Sequence, residues 1–355
     1  MSVINLDFSK ASKGEKSPLK TPTLIAYILE RSHQMEMHGH LGTARNYQKT
    51  ANSITAFLKY KSNDKRYKSL DPPLFKLSTD LLIEYQYWLQ EKSVKRNSIS
   101  FYMRNIRAAY NHAVRNNQII VSNNIGHYTA NLPYNIFSHV YTGIDKTYKK
   151  AVKEEIVHKL LDLDLSNSSS LQFARDIFIF SYCARGISFI DLAFLKRKNI
   201  TNGTLHYSRR KTGQQLSIAI EPCMQKILDK YISQKGKIQR DSTTPDNTIN
   251  EYIFPIISLP NEKDAYRQYQ TALGYYNRKL KELSGLIGGN IKLSSYSARH
   301  TWATVARNHN IPISVISAGM GHTSERTTQI YLQQLEDNII DKANRRLLSG
   351  LNINI

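Results

Sequence analysis

The chain has 355 residues, and its 49 Lys and Arg against 28 Asp and Glu give a formal net charge of +21. The excess is +12 over residues 1–150 and +9 over the rest, so a basic surface extends over both halves and polyanions are its natural partners. Two cysteines exclude a disulfide framework and favour a reducing cytoplasm, no apolar run of about 18 residues could span a membrane, and the N-terminus lacks the apolar core of a secretory signal.

The first 150 residues predict a helical domain between two segments without periodicity. Residues 1–19 are rich in Ser and Lys and are predicted to be flexible. Residues 20–132 predict a compact unit of four helices, the fourth capped by Ser98. Residues 133–147 show no sustained pattern and are predicted to be an inter-domain linker. Basic residues on several helix faces favour a DNA-binding surface over a packing domain with solvated charges.

A turn separates two apolar helical segments in residues 148–335, the predicted second domain. The run around Phe180 is apolar and predicts a buried helix, which Ala184-Arg185-Gly186 ends. Arg185 therefore lies at the turn. A charge there needs an anionic partner if it is buried, and the alternative is an ordinary exposed turn arginine.

Residues 204–220 give the clearest strand pattern in the chain. Apolar residues alternate with polar ones on either side of a turn at residues 211–213, which predicts a β-hairpin; they are Leu205, Tyr207, Leu216, Ile218 and Ile220. Lys211 at the tip is either a solvated charge or a functional cation, with Arg209 and Arg210 as neighbouring candidates. A shorter strand-like piece follows at 252–257.

The stretch from Tyr296 to Leu332 contains three separated elements in fixed order. Arg299 is followed 23 residues later by His322 and a further nine residues later by Tyr331. A guanidinium grips a phosphate through a planar fork of donors. An imidazole donates a hydrogen bond or moves a proton near neutral pH, and a phenol becomes a nucleophile once its proton is removed. Three helices are expected here, the third capped by Ser324.

This ordered set resembles the C-terminal signature of the tyrosine recombinases, the phage integrase family, in which His-x-x-Arg-His precedes Leu-Gly-His and a nucleophilic tyrosine. The resemblance implies that Arg299 binds the scissile phosphate, His322 hydrogen-bonds a non-bridging oxygen, and Tyr331 attacks the phosphorus. The chain departs from the pattern at Tyr296, where the family most often has histidine. A phenol, with an unperturbed pKa of about 10, is a poor general base near neutral pH, so the acceptor of the Tyr331 proton stays open.

Two further stretches resemble the same family. The run from Arg185 to Asp191 resembles its first-arginine motif, with Asp191 where a supporting acid is usual. Arg185 is therefore expected to be the first phosphate-binding arginine. Lys211 matches the hairpin lysine of the family, which implies a general acid that gives a proton to the leaving 5′ oxygen.

The resemblance implies a mainly α fold with a small antiparallel β-sheet in the C-terminal domain. A helical core-DNA-binding domain and a mixed α/β catalytic domain are expected to form a C-shaped clamp around double-stranded DNA. Residues 336–355 show a helical apolar stripe and are expected to be a tail helix that docks on a neighbouring protomer, or alternatively on its own domain. The family implies a homotetramer on two DNA sites, in the cytoplasm with the nucleoid.

The expected activity is site-specific DNA recombination through a 3′-phosphotyrosine, leading to integration, excision or inversion of a DNA segment. No zinc-ligand spacing and no Gly-rich phosphate loop occur, so neither a metal nor a nucleotide cofactor is expected. A type IB topoisomerase would use the same chemistry without strand exchange. The alternative from another class is a sequence-specific DNA-binding protein with an inactive recombinase-like domain, and Tyr296 is the residue that favours it.

Overall fold

The computed structural model of the protein describes residues 22–62, 71–116, 135–145, 151–234, 252–332 and 344–345, with the side chains of 330–332 left out. The predicted flexible segment 1–19 and all but two residues of the predicted tail 336–355 lie outside the described residues. The chain divides into two compact units, Met1–Thr147 and Tyr148–Ile355. Among the described helices, none combines the length and the apolar character that crossing a membrane requires.

The described part of the first unit is built on four α-helices that share one apolar core. They are α1 Leu24–Met37, α2 Leu41–Ser62, α3 Thr79–Glu91 and α4 Arg96–Arg115. Ser78 caps α3, because its hydroxyl accepts a hydrogen bond from the backbone N–H of Leu81 at 3.2 Å. The expectation that Ser98 caps α4 is wrong, since that helix begins two residues earlier with Lys95 at the N-cap.

Residues 135–145 pack against this first core. Ile136, Phe137 and Val140 are buried in it. The amide of Asn97 in α4 donates to the carbonyl of Asp145 at 3.0 Å and accepts from its N–H at 2.8 Å. This part of the predicted linker is therefore tied to the first unit by apolar burial and by paired hydrogen bonds.

The second unit surrounds a long buried helix with further helices and a small sheet. Its described helices are α5 Glu154–Asp162, α6 Ser169–Cys183, α7 Phe189–Ala193, α8 Pro222–Gln234, α9 Glu262–Ile287, α10 Ser297–Asn308, α11 Ile313–Gly319 and α12 Glu325–Leu332. Helix α6 contains wholly buried Ile177, Phe178 and Phe180, as its unbroken apolar run predicts, and packs against α8, α9 and α10. The core of the unit therefore lies around α6.

The described sheet is antiparallel, with strands in the order β1 Ile200–Thr201, β2 Thr204–Ser208 and β3 Gln215–Ala219. Leu205 pairs with Ile218 and Tyr207 with Leu216, so the predicted hairpin is confirmed with its apolar residues on one face. The piece at 252–257 is buried but makes a single bridge, between Lys196 and Tyr252, instead of a strand. The predicted class, mainly α with a small antiparallel sheet in the C-terminal part, is confirmed.

Candidate active site

The turn after α6 brings the backbone of Gly186 against helix α10. Arg185 and Gly186 both adopt left-handed backbone angles, with φ of +56° and +71°. A Cβ added to Gly186 would lie 2.7 Å from the Cα of Arg299, a distance that side chains do not tolerate. Glycine is therefore required for this contact, and the left-handed arginine beside it is a strained residue of the kind that clusters at functional sites.

Backbone carbonyls hold the side chain of Arg299, which is 2% exposed. Its guanidinium donates to the carbonyl of Gly186 at 2.7 Å and to that of Met320 at 2.6 Å. These bonds join the turn after α6 to the residue that follows α11. These carbonyls fix the guanidinium in position, and such preorganisation favours the stabilisation of an anion.

His322 lies between Arg299 and helix α12. Its Nε2 is 3.0 Å from a guanidinium nitrogen of Arg299, and its Nδ1 is 2.7 Å from the hydroxyl oxygen of Thr328. A guanidinium has no acceptor, so Nε2 accepts and the proton of the neutral ring lies on Nδ1, which donates to Thr328. Burial first, and then the charges of Arg299, Arg209 and Lys211, lower the pKa of His322 to about 4. The ring is therefore neutral near pH 7.

Arg209 at the end of β2 is a further buried cation, 7% exposed. It donates to the carbonyl of Gly321, and a Cβ added to that glycine would lie 2.7 Å from the Cδ of Arg209. From the sequence, Arg209 was only an alternate to Lys211, the lysine of the hairpin. The period-2 pattern already contained the signal, because Arg209 continues the inward-facing series of Leu205 and Tyr207.

Asp191 ties helix α7 to the hairpin turn that holds Lys211. Its carboxylate, buried to 3% exposure, accepts from the hydroxyl of Ser188 at 2.6 Å and from the backbone N–H of Arg210 at 2.8 Å. It also lies 3.9 Å from Nε of Arg209. Lys211 itself is exposed, and its charge is one of those that lower the pKa of His322. The acid therefore positions the backbone directly before the lysine.

Arg185 is half-buried between β3 and the end of α11. Its guanidinium is 3.5 Å from the carbonyl oxygen of Ser217, and its Cδ lies 3.7 Å from the position a Cβ on Gly319 would take. Together with the Gly186–Arg299 contact, this places Arg185 in the region occupied by Arg299 and His322. The prediction from the local sequence, a charge at a turn between two buried segments, is confirmed.

The two tyrosines of the predicted site lie at opposite ends of this C-terminal stretch. Tyr296 precedes α10, is 52% exposed, and has its ring centroid 6.2 Å from that of His300. Tyr331 belongs to the last turn of α12, and its side chain is outside the described part. Helix α12 packs against α10 and α11. Thr328, one turn before Tyr331, is fully buried and was not singled out from the sequence, because it lies in a uniformly polar run.

Family models match most of the chain. Residues 23–130 match the phage integrase SAM-like domain, and residues 152–337 match the phage integrase family. No curated protein sequence is significantly similar to the chain.

Three solved structures have similar folds at low identity. A lambda integrase dimer bound to a COC′ core site has 18% identity and a TM-score of 0.56, with 87% of this chain and 95% of that chain covered. The Tn1549 transposon integrase in complex with transposon right end DNA has 13% identity and a TM-score of 0.54, with 92% and 100% covered. The XerH site-specific recombinase bound to difH has 14% identity and a TM-score of 0.57, with 92% and 83% covered.

The match to the phage integrase family over residues 152–337 covers more than half of the chain and includes every site residue described above. The predicted resemblance is therefore confirmed, and so is the expectation of an enzyme. The chain belongs to the phage integrase family and is a recombinase enzyme.

Proposed function

We propose that the protein is a site-specific recombinase that cuts and rejoins double-stranded DNA through a 3′-phosphotyrosine on Tyr331. The observation that carries the proposal is a cluster of cations in which Arg299 and Arg209 lie beside His322 and Arg185 lies at the end of α11. Carbonyls hold the Arg299 guanidinium in place and a buried carboxylate lies beside Arg209. Such a cluster of cations suits one phosphodiester, whose charge increases at the transition state.

In the proposed reaction, the phenol oxygen of Tyr331 bonds to phosphorus while the bond from phosphorus to the 5′ oxygen breaks. Arg185 and Arg299 stabilise the charge that develops on the non-bridging oxygens. Lys211 gives its proton to the departing 5′ oxygen. One ester bond replaces another, so the step needs no external source of energy, and a 5′-hydroxyl from a partner strand reverses it.

We further infer that His322 accepts the proton of Tyr331. The ring is neutral near pH 7, and Nε2 is its unprotonated nitrogen, which accepts a hydrogen bond from Arg299, since Nδ1 holds the ring proton and donates to Thr328. The negative charge of a bound phosphodiester opposes the arginines that depress the pKa of His322, which favours proton uptake. The resulting imidazolium donates through Nε2 to a non-bridging oxygen. This assignment fills the role that Tyr296, a phenol half in solvent, suits poorly.

Strand exchange would require several copies of the protein on DNA. A lambda integrase tetramer bound to a Holliday junction has a TM-score of 0.52 and 15% identity to this chain, and strand exchange requires two duplexes held together. We propose a homotetramer on two DNA sites, located with the nucleoid in the cytoplasm. Closure of residues 20–132 and 148–335 around the duplex, docking of residues 336–355 on a neighbouring protomer, and the choice among integration, excision and inversion remain predictions.

A duplex with a nick beside the scissile phosphate tests the chemistry, because loss of the short fragment traps the covalent product. Its sequence is taken from inverted repeats that flank the gene. We expect a denaturing gel to show a protein–DNA adduct with the wild type and none with Tyr331→Phe, while both bind the duplex equally. An adduct in Tyr331→Phe would identify a different nucleophile.

The sequence also allows a second candidate, a sequence-specific DNA-binding protein whose recombinase-like domain is inactive, and the family match argues against it. The phenol of Tyr296 in place of the family's usual histidine favours this alternative. Tight binding of the nicked duplex by the wild type with no adduct formed at any pH between about 6 and 9, a range that starts below the ordinary pKa of His and ends below that of Lys, would support it.

A further inference from the structure

We propose that Thr328 is a positioning residue for strand cleavage, because its hydroxyl fixes which nitrogen of His322 holds the proton and joins that ring to the helix of Tyr331. This role of Thr328 rests on the proposed function. Thr328 does not touch the phosphate; it acts through the imidazole and through helix α12.

The hydroxyl of Thr328 is buried and lies within hydrogen-bonding distance of the ring of His322. Thr328 is 0% exposed, although threonine in a helix commonly faces solvent. Its Oγ1 lies 2.7 Å from Nδ1 of His322, a length typical of a good hydrogen bond. A buried hydroxyl without such a partner costs free energy, so this contact accounts for a polar residue in the packed side of α12.

The hydrogen bonds around His322 determine which of its ring nitrogens holds the proton. Arg299 donates to Nε2 of His322 at 3.0 Å, and this leaves Nδ1–H to point at the hydroxyl. A phosphate bound to the Arg299 guanidinium can accept the hydrogen bond that Arg299 otherwise donates to Nε2 of His322. Thr328 still accepts from Nδ1 in that state, which keeps the proton on Nδ1 and keeps Nε2 directed toward Arg299. An imidazole held by one nitrogen presents the other in a single orientation, which is the usual way that proteins set a histidine tautomer.

Thr328 lies on the same helix as the proposed nucleophile, Tyr331. It lies three residues before Tyr331 in α12, about 4.5 Å along the helix axis. His322 belongs to the loop that follows α11, so the hydroxyl–imidazole bond links that loop to the helix of the nucleophile. A displacement of α12 therefore pulls on the ring that receives the phenol proton, and cleavage is coupled to the seating of this helix.

The test compares Thr328→Val with Thr328→Ser in the full-length protein. Valine keeps the shape of threonine and removes the hydroxyl, whereas serine keeps the hydroxyl. The matched control is Thr327→Val, because the neighbouring hydroxyl lies 3.4 Å from Ser324 Oγ and is only half-buried. On the nicked duplex we expect Thr328→Val to form adduct about 10- to 100-fold more slowly. Thr328→Ser should retain the rate within a few-fold, and Thr327→Val should match the wild type.

A spectroscopic measurement separates positioning from general stability. Nitrogen-15 labelling of the 11 histidines, with His322→Gln to assign the signal, reports which ring nitrogen holds the proton in the DNA-free protein. We expect the Nδ1–H form in the wild type and in Thr328→Ser, and a mixture of both forms in Thr328→Val. Thermal unfolding of the variants shows whether either substitution changes the fold itself.

The outcomes separate this inference from the function on which it rests. A wild-type tautomer in Thr328→Val would overturn the inference, and so would loss of cleavage in Thr328→Ser as severe as in Thr328→Val. A wild type that forms no adduct would overturn the proposed function, and the nitrogen-15 spectra would still decide whether Thr328 fixes the ring of His322.

Discussion

Alanine at Gly186 is expected to damage the second unit much more than alanine at Gly203. Both glycines have left-handed backbone angles, with φ of +71° and +69°, so each substitution costs about 1 kcal/mol in backbone strain. A Cβ on Gly203 meets nothing within 4 Å, whereas one on Gly186 lies 2.7 Å from the Cα of Arg299. Overlap with a packed backbone adds about 1–3 kcal/mol, so Gly186→Ala should cost about 2–4 kcal/mol in free energy of unfolding.

The loss of activity should be greater than the loss of stability implies. A Cβ on Gly186 would also lie 3.0 Å from Cγ and 3.1 Å from Cβ of Arg299, so the guanidinium must shift. A misplacement of about 1 Å in a reacting group can cost about 100-fold in rate. We therefore expect adduct formation on the nicked duplex to fall about 100-fold in Gly186→Ala and to stay at the wild-type rate in Gly203→Ala.

Urea unfolding gives the stability difference directly. The chain has two tryptophans, Trp88 in the first unit and Trp302 in α10, so a Trp88→Phe background leaves Trp302 fluorescence as a reporter of the second unit. Equal loss of stability in Gly186→Ala and Gly203→Ala, together with equal cleavage rates, would refute the close approach between the turn after α6 and α10.

Three further predictions concern the charges around His322. The folded-state pKa of His322, about 4, lies below its ordinary value of 6.5, so the contribution of this residue to stability is present above pH 6.5 and is lost as pH falls from 6.5 to 4. Urea titrations over this range should show that the free energy of unfolding falls by about 2 kcal/mol. The His322→Gln variant should lack this part of the pH dependence. Arg209→Met deletes one of the depressing charges, so nitrogen-15 pH titration should show a higher pKa for His322; an unchanged midpoint would contradict this. Asp191→Asn leaves buried Arg209 without its nearby negative charge and should cost about 1–3 kcal/mol in free energy of unfolding, with slower cleavage because the turn before Lys211 is held less firmly. Wild-type cleavage and stability in Asp191→Asn would show that the carboxylate has neither effect.

Elements with a strong local pattern were predictable from the sequence. The hairpin followed from alternation on both sides of a turn, and α6 followed from an apolar run that is long enough only for a helix. The turn at Arg185 was visible because a charge and a glycine interrupt that run. The region around 252–257 shows the limit of such patterns, because burial alone makes a segment apolar, and only its hydrogen-bond partners decide whether it is a strand.

Contacts between distant parts of the chain were not predictable in this way. Thr328 lies in the polar run Ser324–Gln329, and its burial depends on the position of His322 across a loop. The carbonyls that hold Arg299 belong to residues 113 and 21 positions away, and a carbonyl leaves no trace in the residue type. The resemblance to the family motif identified Arg299 and His322 as site residues, but it did not indicate how either side chain is oriented.

The anchoring of Arg299 by peptide oxygens has a consequence for how such a protein changes over time. Every amino acid supplies a backbone carbonyl oxygen. A substitution at position 320 therefore keeps the hydrogen bond to the Arg299 guanidinium, provided that the local path of the main chain is kept. The orientation of Arg299 therefore does not depend on the chemical type of the side chain at position 320. Residues that contact DNA in the proposed complex can then change while this guanidinium keeps its position.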